Sequence, residues 1–330
     1  MKKHVPFLLS PAAKDYIWGG SRLNDDFGKQ IPLHPLAETW ECSTHPDGVS
    51  LAASGVYSGQ GLDAILAAHP EYLGSHPLTI TGGKAELPIL IKLIDAKSDL
   101  SVQVHPDDDY ALRHENSLGK TEMWYVLDAK KGASLVYGFR QDMDRERVRA
   151  ALGNGTIGKY LNHVPVHRND VFFIEAGTVH AIGAGVLIAE IQENSNITYR
   201  LYDYDRTGRD GKKRALHIDK ALDVARLTSS SAPRQPMRVL KYNNGCASEL
   251  LTRCRYFQVE RMLLNTEARR MPELRTESNS FRALLVVEGC GVLFGEDFHL
   301  NFFKGDCIFV PADSIALHLH GKAQILSVSC

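Results

Sequence analysis

The stretch Asn169-Asp-Val-Phe-Phe-Ile-Glu-Ala-Gly177 has an echo in Gly305-Asp-Cys-Ile-Phe-Val-Pro-Ala-Asp313. In each, a polar turn precedes an apolar run and a second turn closes it, the pattern of a short buried strand. A second echo lies upstream of each copy: Glu122-Met-Trp-Tyr-Val-Leu-Asp-Ala129 resembles Arg282-Ala-Leu-Leu-Val-Val-Glu-Gly289. Two copies of one strand–turn–strand unit predict two jelly-roll barrels. Where the first copy has Glu122 and His180, the second has Arg282 and Ala316.

Outward from these copies, strand-like runs dominate, at 87–94, 100–105, 122–127, 134–139, 171–174, 186–192 and 197–204, then 257–263, 283–288, 291–294, 307–310 and 323–328. Each is short and set off by turn formers. Helical spacing occurs at 62–68, 145–152 and 218–227, with Asp144 as a capping residue for the second and His217 preceding the third. These helices read as insertions, not as crossovers between parallel strands. The expected fold is therefore mainly β: two jelly-roll barrels with a small helical insertion. Ser229-Ser-Ser-Ala-Pro-Arg-Gln-Pro236 reads as a linker. It divides a catalytic domain with helical segments, 1–228, from a C-terminal domain without metal ligands, 238–330.

A chain of 330 residues can bury two such cores. Its formal net charge of −1 supplies no global field for nucleic acid or a membrane surface, so neither is an expected partner. The opening Met1-Lys-Lys-His-Val-Pro-Phe-Leu-Leu-Ser10 has too short an apolar run for a secretory signal, and Pro6 interrupts it. No run approaches the ~20 apolar residues of a membrane helix. The six cysteines are scattered without a Cys-x-x-Cys pair, which predicts reduced thiols and a cytoplasmic protein. No feature speaks to oligomeric state.

The chemistry concentrates in Ser101-Val-Gln-Val-His105. Strand spacing puts Ser101, Gln103 and His105 on one face and Val102 and Val104 on the other. On its own this reads as a polar surface strand running into the turn Pro106-Asp-Asp-Asp109. With Glu122 opening another strand and His180 after a glycine turn, two imidazoles, a carboxylate and an amide make a ligand set for one divalent ion. That set suits Zn²⁺, with Fe²⁺, Mn²⁺ and Co²⁺ as other occupants. Lys92 lies within the apolar Leu87-Pro-Ile-Leu-Ile-Lys-Leu-Ile94 and needs a partner or a route to water. Lys120 shares the strand face of Glu122. Arg200 faces away from Tyr199 and Leu201, either toward a ligand or toward one of the nearby aspartates. A metal among lysines and an arginine suits a small phosphorylated substrate.

Other motifs fall short. Gly177, Gly183 and Gly185 lack dinucleotide-fingerprint spacing, and Gly119-Lys-Thr121 lacks the leading glycine of a phosphate loop, since His114 stands there. No Gly-x-Ser-x-Gly elbow occurs. The basic run Arg206-Thr-Gly-Arg-Asp-Gly-Lys-Lys-Arg214 reads as a solvated hairpin turn.

Taken in order, several blocks resemble the type I mannose-6-phosphate isomerases of the cupin superfamily, in their short bacterial form. These are Trp18-Gly-Gly20, Glu38-Thr-Trp-Glu41, Leu87-Pro-Ile-Leu-Ile-Lys-Leu-Ile-Asp-Ala96 and Leu100-Ser-Val-Gln-Val-His-Pro-Asp-Asp108. They continue with Gly119-Lys-Thr-Glu-Met-Trp-Tyr125, Ala176-Gly-Thr-Val-His-Ala-Ile-Gly183, Glu190-Ile-Gln-Glu-Asn-Ser195 and Tyr199-Arg-Leu-Tyr-Asp-Tyr-Asp205. The resemblance implies a two-cupin fold and one zinc site per chain, made by Gln103, His105, Glu122 and His180. It implies a pocket where Lys92 and Ser101 bind the sugar phosphate and Lys120 and Arg200 serve the chemistry. The implied reaction interconverts mannose 6-phosphate and fructose 6-phosphate through a cis-enediol, with Lys120 the first candidate for moving the proton. The chain departs from the family pattern at Asn196, where many members carry an aspartate; an amide cannot act as a carboxylate base. A non-catalytic sugar-phosphate binder on the same barrel is the alternative reading, and an iron-dependent cupin oxygenase a third.

Overall fold

A computed structural model of the chain describes residues 4–208, 211–231, 233, 238–267 and 270–330. The protein is mainly β. The strand Ile89–Ala96 shows why its sequence is almost continuously apolar: it is buried on both faces. Ile89, Ile91 and Leu93 enter one core, while Ile94 and Ala96 enter another on the opposite side of the sheet. Period-two alternation thus sorts one strand between two interiors.

That strand is central in a six-stranded sheet. The order is Val171–Ile174, Glu122–Ala129, Val186–Glu193, Ile89–Ala96, Glu38–Cys42 and Ala12–Lys14. A five-stranded sheet, ordered Tyr199–Tyr202, Val102–Val104, His180–Ile182, Ser134–Phe139 and Leu161–Pro165, closes over one face of it. Ile94, Trp124, Val126 and Ile188 of the first sheet meet Leu135, Val164 and Ile182 of the second. The helices Arg145–Gly153 and Ile218–Val224 cover the outside of the five-stranded sheet. Asp144 caps the first of these helices as expected, its side chain accepting from Arg147 N.

A ten-stranded sheet forms the C-terminal part. Its strands Arg282–Gly295 and Leu317–Ser329 supply Leu284, Val286, Leu319 and Ile325 to a core of its own, and Ala283, Leu285, Leu326 and Val328 to the core shared with the six-stranded sheet. The runs expected at 283–288 and 291–294 are one strand. A register shift between Val286 and Glu288, with Gly289 at φ 78°, bends it without ending it. The N-terminal strand Phe7–Ser10 joins this sheet as well, between Cys307–Val310 and Leu51–Ala52.

The internal echo is a shared geometry. Ile174 pairs with Glu122 as Val310 pairs with Arg282. Asn169 N donates to Val126 O and Gly305 N to Val286 O, the same offset in both copies. Asp170 caps its turn by accepting from His167 N at 2.8 Å, and Asp306 accepts from Phe303 N at 2.7 Å. Asn169 and Gly305 both have positive φ, a conformation that asparagine tolerates and glycine adopts freely.

Some expectations are corrected. The segment after His105 is a helix, Asp108–Glu115, with Asp107 capping it through Tyr110 N; Pro106 and the aspartates mark a helix start, not a bare turn. The basic run is more than a solvated hairpin: Arg206 and Arg214 both hold Asp203. Its residues 209–210 lie outside the described residues, as do 232 and 234–236 of the expected linker. The start of that linker is anchored, with Ser229 N donating to Asp142 and Ser230 N to Phe139 O.

Candidate metal centre and sugar-phosphate pocket

Sheet register assembles the site. Across the six-stranded sheet, Trp124, Glu190, Lys92 and Trp40 are successive lateral neighbours. All four are buried. Trp124 Nε1 donates to Glu190 Oε2 at 2.9 Å, and Trp40 Nε1 donates to Glu38 Oε2 at 2.8 Å. Lys92 Nζ sits between the two carboxylates, 3.4 Å from Glu190 Oε1 and 3.7 Å from Glu38 Oε2, and 4.9 Å from the Trp40 ring centre. The lysine inside the apolar strand is thus buried with partners. Burial alone would discharge it, but Glu38, Glu190 and Glu122 outweigh that and hold its pKa above the usual value.

Facing this row, the five-stranded sheet brings His180 directly opposite Gln103, with Arg200 on the far side of Gln103. His105 Nε2 and His180 Nε2 are 3.1 Å apart. Glu122 Oε2 lies 3.6 Å from the first and Oε1 3.4 Å from the second. Each imidazole directs its Nδ1 to a backbone carbonyl at 2.8 Å, His105 to Ile197 O and His180 to Thr178 O. The Nδ1–H therefore donates, leaving both Nε2 lone pairs aimed into the cluster. Burial keeps both rings neutral: His180 is pushed down to about 4, and His105 is held well below its ordinary range by burial and the Lys120 charge.

Two imidazole nitrogens and a carboxylate converge in this buried space with one ammonium, Lys120, at their side, 3.1 Å from His105 Nε2. Lys120 Nζ pairs with Glu122 Oε2 at 2.7 Å, while Oε1 has no hydrogen-bond donor. Burial and the neighbouring Glu190 push Glu122 up to about 7. Glu190 goes the other way: burial opposes its charge, but Lys120 and Lys92 outweigh it. The buried carboxylates Glu38, Glu122 and Glu190 outnumber the buried ammonium groups Lys92 and Lys120 by one. The nitrogen and oxygen separations match the edge of a tetrahedron with ~2.0–2.1 Å metal–ligand bonds, about 3.3 Å. The donor set fits a divalent metal. Among the described residues, His105, Glu122 and His180 are the group of this kind.

Lys120 reaches the cluster because Gly119 lets the chain pass against the start of the Asp108–Glu115 helix. A Cβ on Gly119 would fall 2.5 Å from Asp107 C. Lys120 N then donates to Pro106 O, and its Nζ lies 3.1 Å from His105 Nε2 and 3.8 Å from Glu190 Oε1. Ser101 Oγ accepts from Arg200 Nε at 3.3 Å, and Arg200 Nη1 donates to Ala215 O. The ion pair considered for Arg200 is not made with Asp203, which Arg206 and Arg214 already hold. Lys92, Ser101, Gln103, Lys120 and Arg200 line one cavity of about 260 Å³, together with Tyr16, Trp18, Glu38, Glu190, Asn196 and Arg214. A larger groove of about 550 Å³ beside Gly19, Gly20 and Lys97 contains none of these groups.

Of the residues singled out for the site, Lys92, Ser101, Gln103, Lys120 and Arg200 line this pocket, and His105, Glu122 and His180 form the buried cluster that Lys120 touches. Glu38, Glu190 and Arg214 were not singled out. Glu190 carried a signal equal to that of Lys92: a charged residue within an apolar strand, 186–193.

The fold and this site define a cupin-type protein with a candidate metal centre beneath a cation-lined pocket. Two family models match: "Phosphomannose isomerase type I, catalytic domain" over residues 7–136 and "Mannose-6-phosphate isomerase, cupin domain" over 247–330. Mannose-6-phosphate isomerase ManA of Bacillus subtilis is 36% identical over 97% of this chain and 98% of its own length. Mannose-6-phosphate isomerase of Streptococcus mutans is 44% identical over 66% of this chain and 67% of its own. The crystal structure of the mannose 6-phosphate isomerase from Bacillus subtilis superposes with a TM-score of 0.89 at 32% identity, covering 98% of this chain and 99% of that one. The chain belongs to the type I mannose-6-phosphate isomerase family.

Proposed function

We propose that the protein is a zinc-dependent aldose–ketose isomerase that interconverts mannose 6-phosphate and fructose 6-phosphate through a cis-enediol. The observation that carries this reading is the convergence of His105, Glu122 and His180 under a pocket bearing Lys92, Lys120 and Arg200. His105, Glu122 and His180 would hold the metal, with Gln103, the register partner of His180, as the fourth donor. When bound, such an ion polarises sugar oxygens as a Lewis acid.

The chain's own groups supply the rest. Arg200, with Ser101 Oγ on its Nε, offers a fixed positive charge to the phosphate or to the developing enediolate. Lys92, braced by Glu38 and Glu190, contributes a point charge to substrate binding. Lys120 is the group that moves the proton between C2 and C1, its Nζ set in the pocket by Glu122 Oε2 at 2.7 Å. The Trp40 and Trp124 indoles hold the two outer carboxylates and exclude water around them.

We place residues 1–228 in a catalytic unit and 238–330 in a C-terminal unit without metal ligands. The strand Phe7–Ser10 reaches from the first into the sheet of the second. Six free cysteines suit a reducing cytoplasm. Among the described residues no helix is long and apolar enough to cross a membrane. The test is turnover of mannose 6-phosphate before chelation, after it, and after Zn²⁺ is restored. Activity that disappears and returns supports the reading; absence of turnover in zinc-replete protein overturns it.

A further inference from the structure

Asn196 lines the pocket at its exposed rim, and one hydrogen bond orients its side chain. Its Nδ2 donates to Asp47 Oδ2 at 2.9 Å. Only the NH₂ side of an amide can face a carboxylate, so Asp47 fixes the orientation and leaves Oδ1 as the acceptor that Asn196 offers. Asp47 is exposed and its backbone is held: its N donates to His45 Nδ1 and its carbonyl accepts from Lys14 Nζ. Its charge also acts on the pocket residue Tyr16.

The contact joins the two sheets that form the site. Asp47 lies in the loop after Glu38–Cys42, the strand that carries Glu38 and Trp40. Asn196 immediately precedes Ile197, whose carbonyl orients His105, and stands four residues before Arg200. A clasp at this point fixes the segment that aims both His105 and Arg200.

We infer that Asp47 is a positioning residue for the isomerase reaction, acting through Asn196 to hold the segment from Asn196 to Arg200 and to present the Asn196 carbonyl to a sugar hydroxyl. This rests on the isomerase reading above. The pair works as a carboxylate with an amide, so the charge belongs on residue 47 and the neutral partner on residue 196.

The charge arrangement is testable by exchange. Asn196→Asp sets two carboxylates against each other, with Lys14 and His45 the nearby cationic or titratable groups. It should lower kcat/KM for mannose 6-phosphate by about tenfold at neutral pH. The double exchange Asp47→Asn with Asn196→Asp restores one carboxylate and one amide and should recover most of the loss. Should Asn196→Asp fold poorly, Asp47→Ala removes the acceptor without repulsion and should raise KM several-fold with bound metal retained. An Asn196→Asp protein equal to the parent at neutral pH, a double variant no better than the single one, or an unchanged KM in Asp47→Ala overturns the inference. A parent that does not turn over mannose 6-phosphate overturns the functional reading first, and the inference with it.

Discussion

The two copies of the strand–turn–strand unit share a register and a turn, yet only one carries site chemistry. In the first, Glu122 sits opposite Ile174 and projects beside His105 and His180. In the second, Arg282 sits opposite Val310, donates to Ser327 Oγ at 2.9 Å and lies 3.7 Å from Glu260 Oε2. The backbone N–H just before each position differs too. Thr121 N donates to the buried Glu193 carboxylate at 2.6 Å, whereas Phe281 N donates to Leu73 O. The scaffold is thus indifferent to chemistry: the same strand end presents a carboxylate of the candidate metal site in one place and a structural guanidinium in the other. Function lies in the few side chains, and in what the facing sheet brings to meet them.

The largest test of that difference imports the second copy's residue into the first. His180→Ala, which reproduces Ala316, should abolish metal binding and lower turnover by a factor on the order of a thousand. Metal content and isomerase rate, measured together, check it; a His180→Ala protein with parental metal and rate would mean the copies do not differ in the way described. Next in size is Arg200→Ala, expected to reduce kcat by roughly 10²–10³-fold with an unchanged melting temperature, because it removes a charge at the reacting end and little packing.

The carboxyl beneath Thr121 sharpens the comparison through pH. Burial and the facing Asp108 push Glu193 up to about 8. Asp108 also accepts from Tyr256 Oη and Gly119 N, so Glu193 is the member driven to hold the proton. A raised carboxyl pKa means the folded state binds more protons than the unfolded one between the ordinary value and about 8, so stability falls as pH rises through that window. Glu193→Gln mimics the protonated form. It should match the parent near pH 4 and exceed it by on the order of 2 kcal/mol above pH 8, read from urea midpoints. Equal midpoints at both pH values would remove Glu193 as a titrating group.

The smallest effect is expected from the reverse graft. Arg282→Glu places the first copy's carboxylate in the second, where no imidazole waits. It should bind no additional metal, leave the rate within about twofold of the parent and cost about 1 kcal/mol through the lost contact with Glu260. Gain of a second equivalent of metal would show the second unit to be closer to a working site than its residues suggest.

Legibility in the sequence followed the range of each cause. The strands at 134–139, 171–174 and 307–310 and the helix at 62–68 coincide with the structure because alternation, helical spacing and turn formers are local. Ser101, Gln103 and His105 were readable as one face for the same reason. Glu38 was not, because it reaches the site only through the pairing of Glu38–Cys42 with Ile89–Ala96; Glu190 stood out as a charge within an apolar run, but its partner Lys92 is set by the pairing of Val186–Glu193 on the other side. Arg214 entered through a loop whose own pattern spoke only of solvent.

The sequence by itself determined which residues could be strands, which donor types were available, and that where one copy of the unit has Glu122 and His180 the other has Arg282 and Ala316. Only the tertiary structure decided which charges share a buried space: Lys92 between Glu38 and Glu190, two Nε2 lone pairs 3.1 Å apart, and Asp47 across from Asn196. Side-chain alternation is written within a few residues, whereas strand register and sheet-on-sheet packing join residues far apart in the chain, 75 positions for His105 and His180 and 149 for Asp47 and Asn196, and are fixed by the burial of whole faces.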